Sequence, residues 1–343
     1  VSRDAFRLVL ACADHDELRL PDVDGRTLDA ALRLAQANGL FTAVGRGLER
    51  AGRTLPGWAR AASHAEAQAR ASYVRSLELL VSASEDAGRG YALIKNVRRI
   101  EHVPRDVDVF VRGADLEPFL AALRARGCRI VADDAEISAH APGHLRIDLY
   151  ARIHYLGRDF VLGETLEAAR TRETIAGVRT PTVPADVAYA LNSIHSVLGH
   201  GALSLLDLLD LKHLARPLGD LRLARAHAER CGWARAFDAW SAHVAGLARA
   251  LDDGTPPAFP HRHGRRFILR FLSLLDGPAL DRRERLALGA SLLLDDVIFA
   301  TEGAGLGEAV RRSRAATGVA NAAGHRLRTL RGDRKRADGR SAP

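Results

Sequence analysis

Three aspartates interrupt segments that otherwise read as buried strand. Asp106 and Asp108 lie in Asp106-Val-Asp-Val-Phe-Val, and Asp148 lies between Ile147 and Leu149. Residues two apart on a strand point to the same face. Asp106 and Asp108 therefore share one face, and Val107, Val109 and Val111 take the other, toward a core. Carboxylates this close repel each other. A hard divalent cation, Mg2+ or Mn2+, relieves the repulsion because it takes carboxylate oxygens as ligands. If the Asp148 strand lies beside the first, a three-carboxylate cluster results, of a kind that holds two metals about 3.5–4 Å apart. One metal then orients a triphosphate, and the other lowers the pKa of an attacking hydroxyl. The pattern leaves an alternative open, since Asp-x-Asp on a strand is also a common solvated face.

Such carboxylates need a sheet to hold them. Tyr91-Ala-Leu-Ile-Lys, Asp106–Val111, Cys128-Arg-Ile-Val-Ala and His144-Leu-Arg-Ile-Asp-Leu-Tyr-Ala read as strands. Residues 114–126 read as a helix that ends at Gly127. The order is strand, connection, strand, helix, strand, strand. On either side the apolar spacing is helical, as at 26–35 and 65–81. Breaks are expected near Pro21, Gly52 and Pro56-Gly57, and Gly88 and Gly90 are placed to end a long helix. Helices return after Pro184, whose fixed φ suits a helix start, and run through 203–214, 221–251, 266–275 and 283–301. The proline-rich stretch 252–264 is expected to be a loop. The expected fold class is α+β: a small mixed sheet flanked by N-terminal and C-terminal helical regions. The expected divisions are 1–88 helical, 89–180 α/β core, 181–325 helical and 326–343 a basic disordered tail.

The composition sets limits on the partners. The chain has 343 residues, of which 47% are hydrophobic, enough to exclude wholesale disorder. A net charge of +8 suits a phosphate-bearing substrate or a basic surface that touches RNA, without choosing between them. The three cysteines, Cys12, Cys128 and Cys231, form no CxxC pair. That argues against a disulfide framework or a thiolate zinc site, and a cytoplasmic location is expected. No apolar run reaches the roughly 20 residues of a membrane helix, so no membrane partner is expected. The first residues, Val1-Ser-Arg-Asp-Ala-Phe-Arg, do not read as a signal peptide.

Tyr91-Ala-Leu-Ile-Lys-Asn, the short connection to Asp106-Val-Asp-Val-Phe-Val, and Arg146-Ile-Asp-Leu-Tyr together resemble the catalytic core of DNA polymerase beta-like nucleotidyltransferases. The resemblance is to the nucleotidyltransferase-like proteins of bacteria and archaea that set this core between helical regions. It covers residues 88–160, and more loosely the helices to about 216. It implies that Asp106 and Asp108 are metal ligands, and that Asp148 is a third ligand that helps activate the attacking hydroxyl. The family's Gly-Ser turn, which contacts nucleotide phosphates, is replaced here by Lys95-Asn96. Lysine pairs with phosphate as a point charge, and asparagine donates a hydrogen bond and tolerates left-handed turns. Arg98, Arg99 and Arg105 surround the turn, either as triphosphate ligands or as ordinary loop charges in an arginine-rich chain.

The remaining features have plainer readings. His195, His200 and His213 match no zinc spacing and read as helix-end or core-edge residues. His261 and His263, beside arginines, read as a solvated loop. Asp207 and Asp210, three apart on a helix, read as its polar side. The function implied is a metal-dependent nucleotidyltransferase. It would move an NMP from an NTP, with ATP among the candidates, to a hydroxyl-bearing acceptor (small molecule, RNA or protein) and release pyrophosphate. The alternatives are a catalytically inactive module that binds nucleotide or RNA, and a helical interaction protein.

Overall fold

The computed structural model of the chain describes residues 2–14, 20–95, 100–132, 137–155, 158–168, 170–200, 202–253, 258–259, 261–263 and 265–276. Asn96, Arg98, Arg99, the expected helix at 283–301 and the tail at 326–343 lie outside the described residues.

The chain opens with helices α1 (Arg3–Asp14), α2 (Gly25–Ala37), α3 (Phe41–Arg50) and α4 (Gly57–Ala87). Asp24 caps α2 by accepting a hydrogen bond from the Thr27 N–H, which satisfies one of the first turn's orphan donors. Pro56 stands at the N-cap of α4, and Gly88 ends that helix at φ 58, in the left-handed region. A side chain there is strained, which is why glycine serves as the stop.

The α/β part follows as β1 (Tyr91–Leu93), β2 (Asp106–Val111), α5 (Leu116–Ala125), β3 (Arg129–Ala132), β4 (Ile137–His140), β5 (Arg146–Tyr150), β6 (Ile153–Tyr155), β7 (Arg158–Val161), α6 (Gly163–Ala168), β8 (Thr171–Ile175) and β9 (Val178–Thr182). One seven-stranded sheet has the order β3-β4-β5-β2-β1-β9-β8, and β6 and β7 pair separately. The sheet is mixed: β2 runs parallel to β5 and β1 to β9, while β1–β2, β4–β5 and β8–β9 are antiparallel. The fold class is α+β, with a larger sheet than the sequence suggested. The added strands are β4, β8 and β9. The last two are short and polar on their outer face, and all five β8 residues are exposed or half-buried, so no apolar alternation marks them.

The sheet buries one face. Val107, Val109 and Val111 of β2 and Ile147 and Leu149 of β5 pack with Tyr73, Leu77 and Leu80 of α4 and Phe119, Leu120 and Leu123 of α5. Strand parity thus leaves Asp106, Asp108 and Asp148 on the opposite face. The long helix α4 also fixes the entry to β5. Ser76 Oγ accepts from the Leu145 N–H at 2.9 Å, and Arg75 Nε donates to the Gly143 carbonyl at 2.9 Å. Gly143 makes that turn at φ 74. The strand carrying Asp148 is therefore registered by a helix on the far side of the sheet.

Helices resume as α7 (Ala185–Ile194), followed by a π-helical turn at His195–His200, β10 (Ala202–Leu203), α8 (Leu205–Ala215), α9 (Arg222–Arg230), α10 (Ala234–Asp252), β11 (His261–Arg262) and α11 (Arg265–Ser273). Ser204 and Asp207 form a reciprocal capping box on α8. Asp207 is thus a helix cap, and Asp210, expected on a polar side, is 2% exposed. The expected solvated loop at 252–264 also needs correction. Residues 261–262 form β11, paired with β10 through Leu203↔His261, and His263 is 5% exposed. Proline and glycine dominated that stretch and hid its histidines' alternation.

His227 Nε2 of α9 donates to Asp186 Oδ2 of α7 at 2.7 Å, in a half-buried setting. That hydrogen bond is the chief reason the Asp186 carboxyl lies below its ordinary range. A depressed folded pKa contributes stability that is present above the ordinary aspartate value and is lost as pH falls through the folded value. We expect Asp186→Asn to cost about 1–3 kcal/mol at pH 7 and less at pH 3, below the ordinary aspartate value. Urea unfolding at both pH values checks this, and equal losses at the two would remove the charge from the explanation.

Apart from Ala132 at the end of β3, these elements fall within one compact unit, Val1–Val131 with Glu136–Leu275. A second unit comprises Ala132–Ala135 and Asp276–Pro343, of which Ala132 and Asp276 are among the described residues. Among the described residues no helix is long and apolar enough to cross a membrane.

Candidate active site

The parallel pairing of β2 with β5 sets the register of the acidic face: Asp106 lies opposite Arg146, Asp108 opposite Asp148, and Phe110 opposite Tyr150. Asp108 and Asp148 are therefore neighbours across one ladder step, at 6% and 1% exposure. Carboxylates buried to this degree require cationic partners. Two are found among the described residues. Lys95, just past β1, places Nζ 2.6 Å from Asp108 Oδ1 and 5.0 Å above the Tyr150 ring. Its backbone is held there because the Ile94 N–H donates to the Asp108 carbonyl at 3.1 Å. Arg146 Nη2 donates to Asp148 Oδ2 at 2.6 Å and reaches Asp106 Oδ2 at 3.4 Å. One nitrogen thus lies within reach of both carboxylates, so their oxygens are no further apart than those two distances combined.

The Asp106 carboxyl is pushed above the ordinary aspartate range, first by burial and then by the charge of Asp108. Lys95 and Arg146 act in the opposite direction without cancelling it. The donors on this face of the sheet are hard oxygens, the set that suits Mg2+ or Mn2+. The carboxylates are not drawn in as closely as metal ligands. Among the described residues, the group that brings its ligand atoms within 4.8 Å of one another is His243, His261 and His263.

The structure therefore brings Asp106, Asp108, Asp148 and Lys95 together. Arg105 lies exposed at the residue before β2, and Asn96 and Arg99 lie outside the described residues. Arg146 and Tyr150 were missed as members of the site. The signal was available: they flank Asp148 at two residues on either side and share its face by strand parity.

No protein-family profile matches this sequence, and no curated protein matches it. Two solved structures are similar to it. Against ANT(2'')-Ia in complex with adenylyl-2''-tobramycin, the TM-score is 0.36 and the identity 12%, covering 46% of this chain and 97% of that one. Against the solution structure of the antibiotic-resistance factor ANT(2'')-Ia, the TM-score is 0.33 and the identity 11%, covering 51% of this chain and 95% of that one. Likeness at that level assigns neither a family nor an activity to this chain.

Proposed function

We propose that this protein is a metal-dependent nucleotidyltransferase that moves an NMP from an NTP to a hydroxyl acceptor and releases pyrophosphate. The observation that carries the reading is the parallel register Asp108↔Asp148 with Asp106 on the same face, which gathers three carboxylates on one face of the sheet. Asp106, Asp108 and Asp148 would hold Mg2+ or Mn2+, which when bound neutralises the triphosphate and lowers the pKa of the acceptor hydroxyl. Lys95 is placed to exchange its Asp108 contact for a phosphate oxygen, as a point charge. Arg146 fixes the Asp148 carboxylate so that an oxygen can take the acceptor proton. The Tyr150 ring faces the Lys95 ammonium and helps to hold it in place. The transfer relies on positioning and charge neutralisation. Asn96, Arg99 and Arg105 are proposed as further phosphate contacts, and the acceptor class is a small molecule, RNA or protein.

The test is an assay of pyrophosphate release with each NTP and Mg2+ or Mn2+, over panels of hydroxylated small molecules, RNA and protein acceptors. Metal-dependent release with at least one acceptor supports the reading, and failure with every combination counts against it. A second reading is favoured by one observation: Lys95 and Arg146 already occupy the carboxylates. It holds that they replace the metals permanently and leave a silent nucleotide-binding module. Calorimetric titration separates the two, because the silent module binds NTP without any gain from Mg2+.

Lys95→Met is expected to raise the KM for NTP by about 10-fold or more, the value of one charge-assisted hydrogen bond. Steady-state kinetics check this, and a KM unchanged within twofold would remove Lys95 from phosphate binding.

A further inference from the structure

A second cluster lies on other elements. His243 projects from α10, and His261 and His263 alternate along β11 and the residue after it, so strand parity puts both on one face. A ligand nitrogen of each lies within 4.8 Å of those of the other two. The surroundings are aromatic: Phe267 lies 4.5 Å from His243 and Trp240 meets His263 edge-on at 5.0 Å, centroid to centroid. His263 is 5% exposed, and neither of its ring nitrogens has a hydrogen-bond partner; His243 Nε2 has none either. Buried polar nitrogens without partners are costly and rare in folded proteins. Unpartnered nitrogens on two rings, with the half-buried His261 ring beside them in an apolar shell, call for an occupant.

We propose that His243, His261 and His263 form a binding site for a nitrogen-preferring divalent transition metal, of which Zn2+ is the representative. Imidazole is a favoured ligand of Zn2+, Cu2+ and Ni2+, whereas Mg2+ and Ca2+ take oxygen. Ligand nitrogens of a tetrahedral Zn2+ site lie about 3.3 Å apart, given Zn–N distances near 2.05 Å. With their ligand nitrogens within 4.8 Å of one another, the imidazoles need to draw together by no more than about 1.5 Å on binding. Burial lowers the proton affinity of all three rings, taking His263 down to about 3. They present the neutral lone pair a metal needs. The Asp207 carboxylate acts electrostatically on His263, which favours a positive charge there. Three protein ligands leave a fourth position for water or an exogenous group. The metal clamps α10 to the β10–β11 ladder, whose two-residue strands are too short to hold themselves. The ion differs in chemistry from the one the carboxylates would hold, and the proposal does not depend on the nucleotidyltransferase reading.

The test is Zn2+ titration of the full chain against a chromophoric chelator, with thermal unfolding in parallel. It uses wild type, His261→Ala, His243→Ala and the double variant Asp106→Asn/Asp148→Asn. His261 is half-buried and its replacement leaves the packed rings of His243 and His263 in place, so that variant reports even if His243→Ala fails to fold. Wild type is expected to bind one equivalent and to melt at a higher temperature with Zn2+. The aspartate variant should do the same. His261→Ala should bind at least about 100-fold more weakly and lose the thermal gain. No tight equivalent in wild type, or one retained at undiminished affinity by His261→Ala, would overturn the site, as would loss of the equivalent in the aspartate variant.

Discussion

Asp106→Asn is expected to lower metal-dependent pyrophosphate release by at least about 100-fold while leaving the melting temperature unchanged or raised. The two halves of this result pull in opposite directions for a physical reason. The Asp106 carboxyl is held above the ordinary aspartate range by burial and by Asp108. A raised folded pKa means that the fold binds the proton more tightly than the unfolded chain, so stability falls as pH rises through that window. Above it, the ionised group works against folding, and a neutral amide of the same shape removes the burden. The same amide cannot serve as an anionic metal ligand. Loss of one preorganised charge at a site where charge develops costs about 10²–10³ in rate. A purely structural role predicts a different result, in which stability falls and activity follows only through unfolding. Melting curves at pH 4 and pH 8 beside the rate assay distinguish the two, because the stability difference should appear at the higher pH.

Trp233→Ala carries the largest expected effect on stability, a loss of about 3–5 kcal/mol. The indole is 0% exposed. It meets Phe160 of β7 at 5.7 Å and Phe237 of α10 at 5.4 Å, both edge-on, and its Nε1 donates to the Phe160 carbonyl at 2.9 Å. Removing it opens a cavity that three elements cannot collapse to fill, and it takes the donor from a buried carbonyl. Trp233→Phe keeps most of the apolar volume and loses the donor, so it should cost less, about 1–3 kcal/mol. Urea unfolding of both variants checks the order. Equal losses would assign the whole effect to the hydrogen bond, and a loss under 1 kcal/mol for alanine would show that the β7–α10 junction does not report on global stability.

The acidic face was readable from the chain because its signal is local. Val107, Val109 and Val111 alternate with Asp106 and Asp108, and Ile147 and Leu149 bracket Asp148, so strand parity alone separates core from site. The helix stops were readable for the same reason, since Gly88 and Gly127 sit at positive φ where other residues are strained. Pairing was not readable. That β2 lies beside β5 in parallel register, with Asp108 opposite Asp148, depends on α5, β3 and β4 returning the chain around the core. No residue pattern in either strand specifies its partner. The polar strand β8, with every residue exposed or half-buried, offers no apolar alternation to find. Arg146 and Tyr150 were overlooked because the acidic residues drew the reading, although the same parity places them on that face. The histidine cluster was missed more completely. His243 is eighteen positions before His261, and their meeting depends on how α10 packs against a two-residue ladder that a proline-rich stretch conceals.

The most direct measurement of the central claim is Mn2+ binding, followed by electron paramagnetic resonance, in the presence of a non-hydrolysable ATP analogue. Wild type should take up Mn2+ with the nucleotide, and Asp106→Asn/Asp148→Asn, with His243, His261 and His263 intact, should not. Equal uptake by both proteins, or none by wild type, would contradict the claim that these carboxylates form a cation site.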